Sequence, residues 1–109
     1  MNCVFCKIAA GEIPVDEVYR DADVVAFRDL NPQAPVHILI IPTRHVASAA
    51  EASEDVLGAL MAAAAQIAGE HIDGNGYRIV TNIGPDGGQS VDHLHLHVLG
   101  GRKMGWPPG

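Results

Sequence analysis

Apolar and polar positions change period several times along this chain, and each change predicts an element. Residues 36–42, VHILIIP, form a short run rich in β-branched apolar residues that stops at Pro42. Its length and composition predict a buried strand. Earlier, EVYRDADVVAFRD reads as a hairpin, with strand-like runs at 17–20 and 24–28 flanking the polar Asp21–Asp23 turn. NPQAP, residues 31–35, is loop because its two prolines remove two backbone donors. Ser53 then fits an N-cap, and Glu54 and Asp55 occupy a first turn where the helix dipole favours negative charge. Val56, Leu57, Leu60, Met61, Ala64, Ile67, Ala68 and His71 follow at helical spacing, predicting one long helix that ends near Asp73–Gly76. Its AAAA run at 62–65 keeps it thin enough for close approach of a sheet or a second helix. YRIVTN (77–82) and VDHLHLHVL (91–99) read as strands on either side of a glycine-rich loop, IGPDGGQS (83–90). Residues 3–10 have room for one or two helical turns before Gly11 and Pro14, and the tail GGRKMGWPPG is too rich in Gly and Pro to be regular.

Strands outnumber helices, short loops join most of them, and the long helix falls between the third and fourth strands. This order predicts an α+β fold: an antiparallel sheet of about five strands with one long helix across a face and a short N-terminal helix. No internal repeat, linker or composition boundary interrupts the 109 residues, so a single domain over 1–109 is expected. A chain of this length buries roughly two-thirds of its unfolded surface and needs no disulfide staple. Formal net charge is −6 and the seven Lys and Arg are scattered, which excludes a groove for long nucleic acid. A mononucleotide is not excluded, since backbone amides and a few side chains can hold one. No stretch approaches the roughly 20 apolar residues of a membrane span, and the start lacks a basic-then-apolar leader, so a cytoplasmic location away from membranes is expected. Cys3 and Cys6 are the only cysteines, and their spacing reads as metal-binding or redox-active.

Three of the six histidines, His93, His95 and His97, alternate along the last strand. On a strand they point one way together with Val91 and Leu99, while Leu94, Leu96 and Val98 form a core face. Successive Cα atoms on one face lie about 6–7 Å apart, so one ion shared by all three is at the limit of reach. A polar, solvent-facing strand is the plain alternative. The preceding GPDGGQS changes the weighting. Gly84, Gly87 and Gly88 allow positive φ and inward-turned N–H groups, the geometry of an anion-binding nest, and Gln89 and Ser90 add donors. Beside three aligned imidazoles such a loop points to phosphoryl chemistry. Neutral imidazole is a good nucleophile near pH 7, and a flanking imidazolium or hydroxyl steadies phosphoryl charge.

The stretch QSVDHLHLHVLGGRKMGWPPG, with FCKIAAGEIP, AFRDLNPQAPVHILIIPTRH and GYRIVTNIGPDGGQS, resembles the histidine triad (HIT) superfamily over nearly the whole chain. It looks most like the histidine triad nucleotide-binding branch, which hydrolyses purine nucleoside phosphoramidates. The resemblance implies a HIT-like fold, a homodimer, and release of AMP or GMP through a covalent nucleotidyl-histidine. Two other readings stay open: a nucleotide-binding regulatory or interaction module, and a dinucleoside polyphosphate hydrolase or nucleotidyltransferase of the same superfamily.

By the resemblance, His95 is the nucleophile, His97 binds the phosphate, His37 orients His95, and Ser90 bonds phosphoryl oxygens or the leaving group. Asn82, Gly88 and Gln89 complete the phosphate pocket, and Asp29 accepts from the ribose hydroxyls. Phe5, Ile8, Ile13, Arg28 and Leu30 wall the purine. Trp106 sits in a tail that reaches toward the second subunit's site, with Gly105 where relatives often carry a histidine. The Cys3-x-x-Cys6 pair is half a zinc site by spacing; the resemblance completes it with His45 and His93, making a structural zinc and leaving catalysis free of any required cofactor.

Overall fold

A computed structural model describes residues 3–109. In chain order the elements are α1 (Val4–Ala9), β1 (Glu17–Arg20), β2 (Val24–Arg28), β3 (Val36–Pro42), a single 3-10 turn (Ala49–Glu51), α2 (Glu54–His71), β4 (Tyr77–Val80) and β5 (Leu96–Gly100). The five strands form one sheet in the order β1-β2-β3-β5-β4, with every neighbouring pair antiparallel. The expected α+β arrangement is therefore the observed one.

Both faces of the sheet are covered, which explains the apolar run Ile38–Ile41 of β3. Ile38 and Ile40 join Val24, Ala26, Leu96 and Val98 against Leu60, Ala64 and Ile67 of α2. Leu39 and Ile41 turn the other way, with Val25 and Phe27, onto Phe5 and Ile8 of α1. Ser53 caps α2 by accepting the Val56 N–H, and Glu54 and Asp55 stand in its first turn as expected. Ser48 caps the 3-10 turn, an element with no signal in the apolar pattern.

Three boundaries differ from the sequence-based expectation. Helix α2 stops at His71 because Ile72 turns extended, at φ −120° and ψ 123°, and packs its partly buried side chain against the core. Ile72 packs so tightly under β5 that a Cβ on Gly100 would come within 2.5 Å of its Cδ1. Strand β4 ends at Val80 rather than Asn82, and β5 begins at Leu96 rather than Val91. Extending the β3–β5 register beyond Ile40↔Leu96 would set Leu94 opposite Pro42, which has no N–H to offer. Leu94 donates its own N–H to the Val46 carbonyl instead, at 2.7 Å. His93 and His95 thus lie on an extended approach to the strand, and only His97 is in the ladder. The alternation survives: Leu94, Leu96 and Val98 are in the α2-side core. The solvent-facing reading does not survive, since His93 is fully buried and His95 nearly so.

Candidate functional site

The α1 side of the sheet gathers five histidines around two centres. His97 lies in register with Leu39, and His37 with Leu99, so the two rings are diagonal neighbours across β3 and β5. Their Nε2 and Nδ1 atoms are 2.9 Å apart. The backbone fixes which nitrogen carries the proton. The Gln33 N–H donates to His37 Nδ1 at 3.0 Å, so in the neutral ring the proton sits on Nε2 and is donated to His97 Nδ1. His97 must then carry its own proton on Nε2. Burial, and secondarily the neighbouring His95 and His37, push the His97 imidazole down to about 4; burial also lowers His37. Both rings are therefore neutral near pH 7, as this chain of bonds requires.

His95 is set the opposite way. Its Nδ1 donates to the His93 carbonyl at 2.7 Å, leaving the Nε2 lone pair free. Thr81 Oγ1 donates to the His95 carbonyl at 2.8 Å, and the Phe5 ring packs edge-on against the imidazole. The His95 and His97 centroids are 5.1 Å apart. Two adjacent rings thus present a bare nitrogen and an N–H. Among the described residues no buried side-chain polar atom lacks a partner, so neither free position is sealed from solvent.

His37 was expected to orient His95; its bond instead goes to His97, and the His93 carbonyl holds His95. Asp29 lies between roles: Oδ1 accepts the Asn31 N–H at 2.8 Å and Oδ2 is 3.4 Å from His37 Nε2. The glycine-rich loop is tighter than expected of an open nest. Gly84 and Gly88 have positive φ, but Gly87 does not. The Gly88 N–H donates to the Pro85 carbonyl and the Gly84 N–H to Gln89 Oε1, so these amides are engaged within the loop. Gln89 also donates through Nε2 to the carbonyls of Ala47, at 2.6 Å, and Val91, at 2.9 Å. Its side chain braces the loop, while Ser90 is exposed and Asn82 half-buried.

Of the purine-wall residues, Phe5 and Ile8 are buried with Phe27 and Ile41, and Ile13 packs on the same cluster. Arg28 is not brought there: it pairs with Ile38, which faces α2, and its Nε lies 3.5 Å from Asp16 Oδ2. Leu30 and Trp106 are 95% and 85% exposed, so neither joins a wall formed by this chain alone.

The second centre is formed by Cys3, Cys6, His45 and His93, whose donor atoms all lie within 4.8 Å of one another. His93 Nδ1 is 3.3 Å from Cys3 Sγ, 3.5 Å from Cys6 Sγ and 3.2 Å from His45 Nδ1. A tetrahedral zinc with Zn–S of about 2.3 Å and Zn–N of about 2.05 Å requires S···N edges of about 3.5 Å and an N···N edge of about 3.3 Å. His93 donates Nε2–H to the Pro42 carbonyl at 3.0 Å, which turns the Nδ1 lone pair toward the cluster. The four residues fit a closed structural site. Asp29, His37 and His97 also cluster within that span, but the Gln33 N–H keeps the proton on His37 Nε2 and so denies that group a ligand.

Residues that the sequence did not announce also build the site. Arg20 donates to the Ala9 carbonyl at 2.8 Å and the Ile8 carbonyl at 3.2 Å, holding the C-terminal end of α1. Thr81 could have been noticed as a hydroxyl at the end of a strand entering the loop. The carbonyls of Pro42 and His93 and the Gln33 amide have no side-chain signature.

An antiparallel sheet that sets a bare imidazole nitrogen beside an imidazole N–H, with three alternating histidines at its edge of entry, has the features of a histidine triad domain. The HIT domain model matches residues 10–104, and the chain belongs to that family. It is 50% identical to a 14 kDa zinc-binding protein of Zea mays, over 97% of this chain and 87% of that one. It is 47% identical to the Arabidopsis thaliana protein named adenylylsulfatase HINT1, over 97% of this chain and 76% of that one. A crystal structure of a HIT family hydrolase from Legionella pneumophila superposes with a TM-score of 0.93 at 49% identity, covering 99% of this chain and 100% of that one. Among the described residues no helix is long and apolar enough to cross a membrane.

Proposed function

We propose that this chain, as one domain, hydrolyses purine nucleoside 5′-phosphoramidates through a nucleotidyl-His95 intermediate. The observation that carries this is the opposed setting of two adjacent rings: lone pair outward on His95 Nε2, N–H outward on His97 Nε2. His95 Nε2 forms a bond to the α-phosphorus as the P–N bond to the leaving group breaks, and the leaving nitrogen takes up a proton from solvent. His97 Nε2–H bonds the phosphoryl oxygen on which charge accumulates. Water then cleaves the His95–phosphorus bond, releasing AMP or GMP and the free ring. Ser90, Asn82 and the 84–89 loop border the phosphate, Asp29 receives the ribose hydroxyls, and Phe5, Ile8 and Ile13 back the base. The enzyme acts in the cytoplasm as a homodimer, in which the exposed Trp106 of each tail meets the partner.

Zinc held by Cys3, Cys6, His45 and His93 ties the start of α1 to the sheet and takes no part in the reaction. The maize relative's name supports the metal, and the Arabidopsis relative's name supports a second leaving group. Attack at the α-phosphorus of adenylyl sulfate would pass through the same His95 adduct and release sulfate.

Rapid quenching of wild type with adenosine 5′-phosphoramidate, followed by intact mass spectrometry, is expected to show an AMP adduct that His95→Ala lacks. Parallel turnover of adenylyl sulfate and diadenosine polyphosphate ranks the leaving groups. Tight AMP binding with no turnover of any of the three would establish a binding module instead.

A further inference from the structure

One backbone amide occupies Nδ1 of His37 and so sets its tautomer from that side, and that amide belongs to a loop held from a distant part of the chain. Arg102 donates through Nε and Nη2 to the single carbonyl oxygen of Gln33, at 3.1 and 3.0 Å. Its third nitrogen, Nη1, donates to the Lys103 carbonyl at 3.2 Å, which fixes the fork. Next to it, Gly101 takes φ +88° and lies so close to Pro35 that an added Cβ would come within 2.9 Å of the proline Cβ. Only glycine satisfies both demands. The turn after β5 therefore grips the 31–35 loop twice, once by shape and once by charge-assisted hydrogen bonds. Gln33 completes the grip internally, donating from its side chain to the Asn31 carbonyl at 3.0 Å.

We propose that Arg102 is a positioning residue: by pinning the Gln33 carbonyl it aims the Gln33 N–H at His37 Nδ1, and so sets the proton on Nε2 of both His37 and His97. A continuous path runs from the guanidinium through one residue of backbone and two rings to the N–H that faces the phosphoryl group. If the Gln33 amide swings away, His37 loses the donor at Nδ1 and keeps only Asp29 Oδ2, at 3.4 Å from Nε2, to favour its present tautomer. The ring could then protonate on Nδ1 and accept from His97, reversing both rings and leaving His97 Nε2 without its hydrogen. An exposed arginine would then govern an N–H that it never touches.

The test uses histidine ring 15N spectra, which report tautomers without reference to turnover. In wild type both His37 and His97 are expected to carry the proton on Nε2. Arg102→Met should give mixed tautomers at both rings, with His95 unchanged. The kinetic arm rests on the proposed phosphoramidate hydrolysis: kcat should fall at least about tenfold with KM little altered. Arg102→Lys, which keeps the charge and one donor nitrogen in place of two, should recover part of both losses, and Arg102→Gln is read the same way as Arg102→Met should the methionine variant not fold. Wild-type His37 protonated on Nδ1, or unchanged tautomers in Arg102→Met, would overturn the inference. An inactive wild type with the expected ring spectra would sink the hydrolase reading and leave the Arg102 assignment standing.

Discussion

The Phe5 ring meets His95 edge-on, with centroids 5.0 Å apart and planes at 79°. The same ring stands edge-on to His93 and to Phe27, both at 5.8 Å. Phe5 sits between Cys3 and Cys6, so a single turn of chain carries two of the proposed zinc ligands and the wall against the proposed nucleophile. Phe5→Ala is expected to cost about 3–5 kcal/mol of stability as a buried large-to-small change. Phe5→Leu keeps most of the apolar volume but forfeits edge-to-face contacts worth about 0.5–1.5 kcal/mol each. Its kcat on a phosphoramidate should fall further than its stability explains, as His95 gains freedom to rotate. Denaturant titration and steady-state kinetics on the leucine variant check this. A variant with wild-type kcat would reduce Phe5 to core packing.

Metal content gives the next expectation. Protein purified without added metal should contain near one zinc per chain, and Cys3→Ser should abolish it. A ligand that binds only the folded state at a thousandfold over its Kd adds about 4 kcal/mol. Chelation should therefore lower the thermal midpoint of wild type and leave Cys3→Ser unmoved. Hydrogen exchange should locate the loosening in α1, because Arg20 still grips the far end through Ala9 and Ile8. Uniform loosening across the sheet would show that the metal is not a local clip.

How much of this was legible in the sequence depends on which group carries the information. The β1, β2 and β3 boundaries and the N-cap at Ser53 follow from side-chain pattern alone, and all appear in the structure. The donor set Cys3, Cys6, His45 and His93 came from spacing and resemblance, and the fold brings it together. The start of β5 was misjudged because the run of alternate histidines continues the strand period past the point where Pro42 ends the pairing. The partner of His37 was misassigned because a diagonal across β3 and β5 depends on register, and register is not visible in one strand. Tautomers were beyond reach altogether: the Gln33 amide and the His93 carbonyl set them, and every residue but proline has both groups.

Gln89 offers a test of the loop. Its amide makes three hydrogen bonds, to Gly84, Ala47 and Val91, and so ties the 84–91 segment to the chain that follows β3. Gln89→Ala would strand two carbonyls and an N–H in a half-buried site. Unmade partners of this kind cost about 1–3 kcal/mol. Gln89→Glu keeps the acceptor for Gly84 but sets a carboxylate oxygen against the carbonyls, so it should be at least as destabilising. Chemical denaturation of both variants checks the order. If Gln89→Ala loses AMP affinity with no loss of stability, the side chain serves the ligand rather than the loop.

Falling pH should cost stability through the histidine pair before it does so through any carboxylate. His97 is held at about 4 by burial and by the nearby His95 and His37, against an ordinary value of 6.5, and burial moves His37 in the same direction. Between those two pH values the unfolded chain binds protons that the folded rings refuse. Stability is therefore fully present above about pH 6.5 and is lost progressively as pH falls toward 4. Release of zinc from protonated Cys and His ligands would add its own acid loss, so the wild-type curve alone does not isolate the pair. His97→Gln removes the depressed titration and leaves Cys3, Cys6, His45 and His93 in place. Denaturant midpoints measured from pH 7.5 to 4.5 should therefore converge, with His97→Gln losing less of its own stability than wild type across that range. Parallel curves for the two proteins would mean that His97 titrates normally in the folded state and is not held down by its burial.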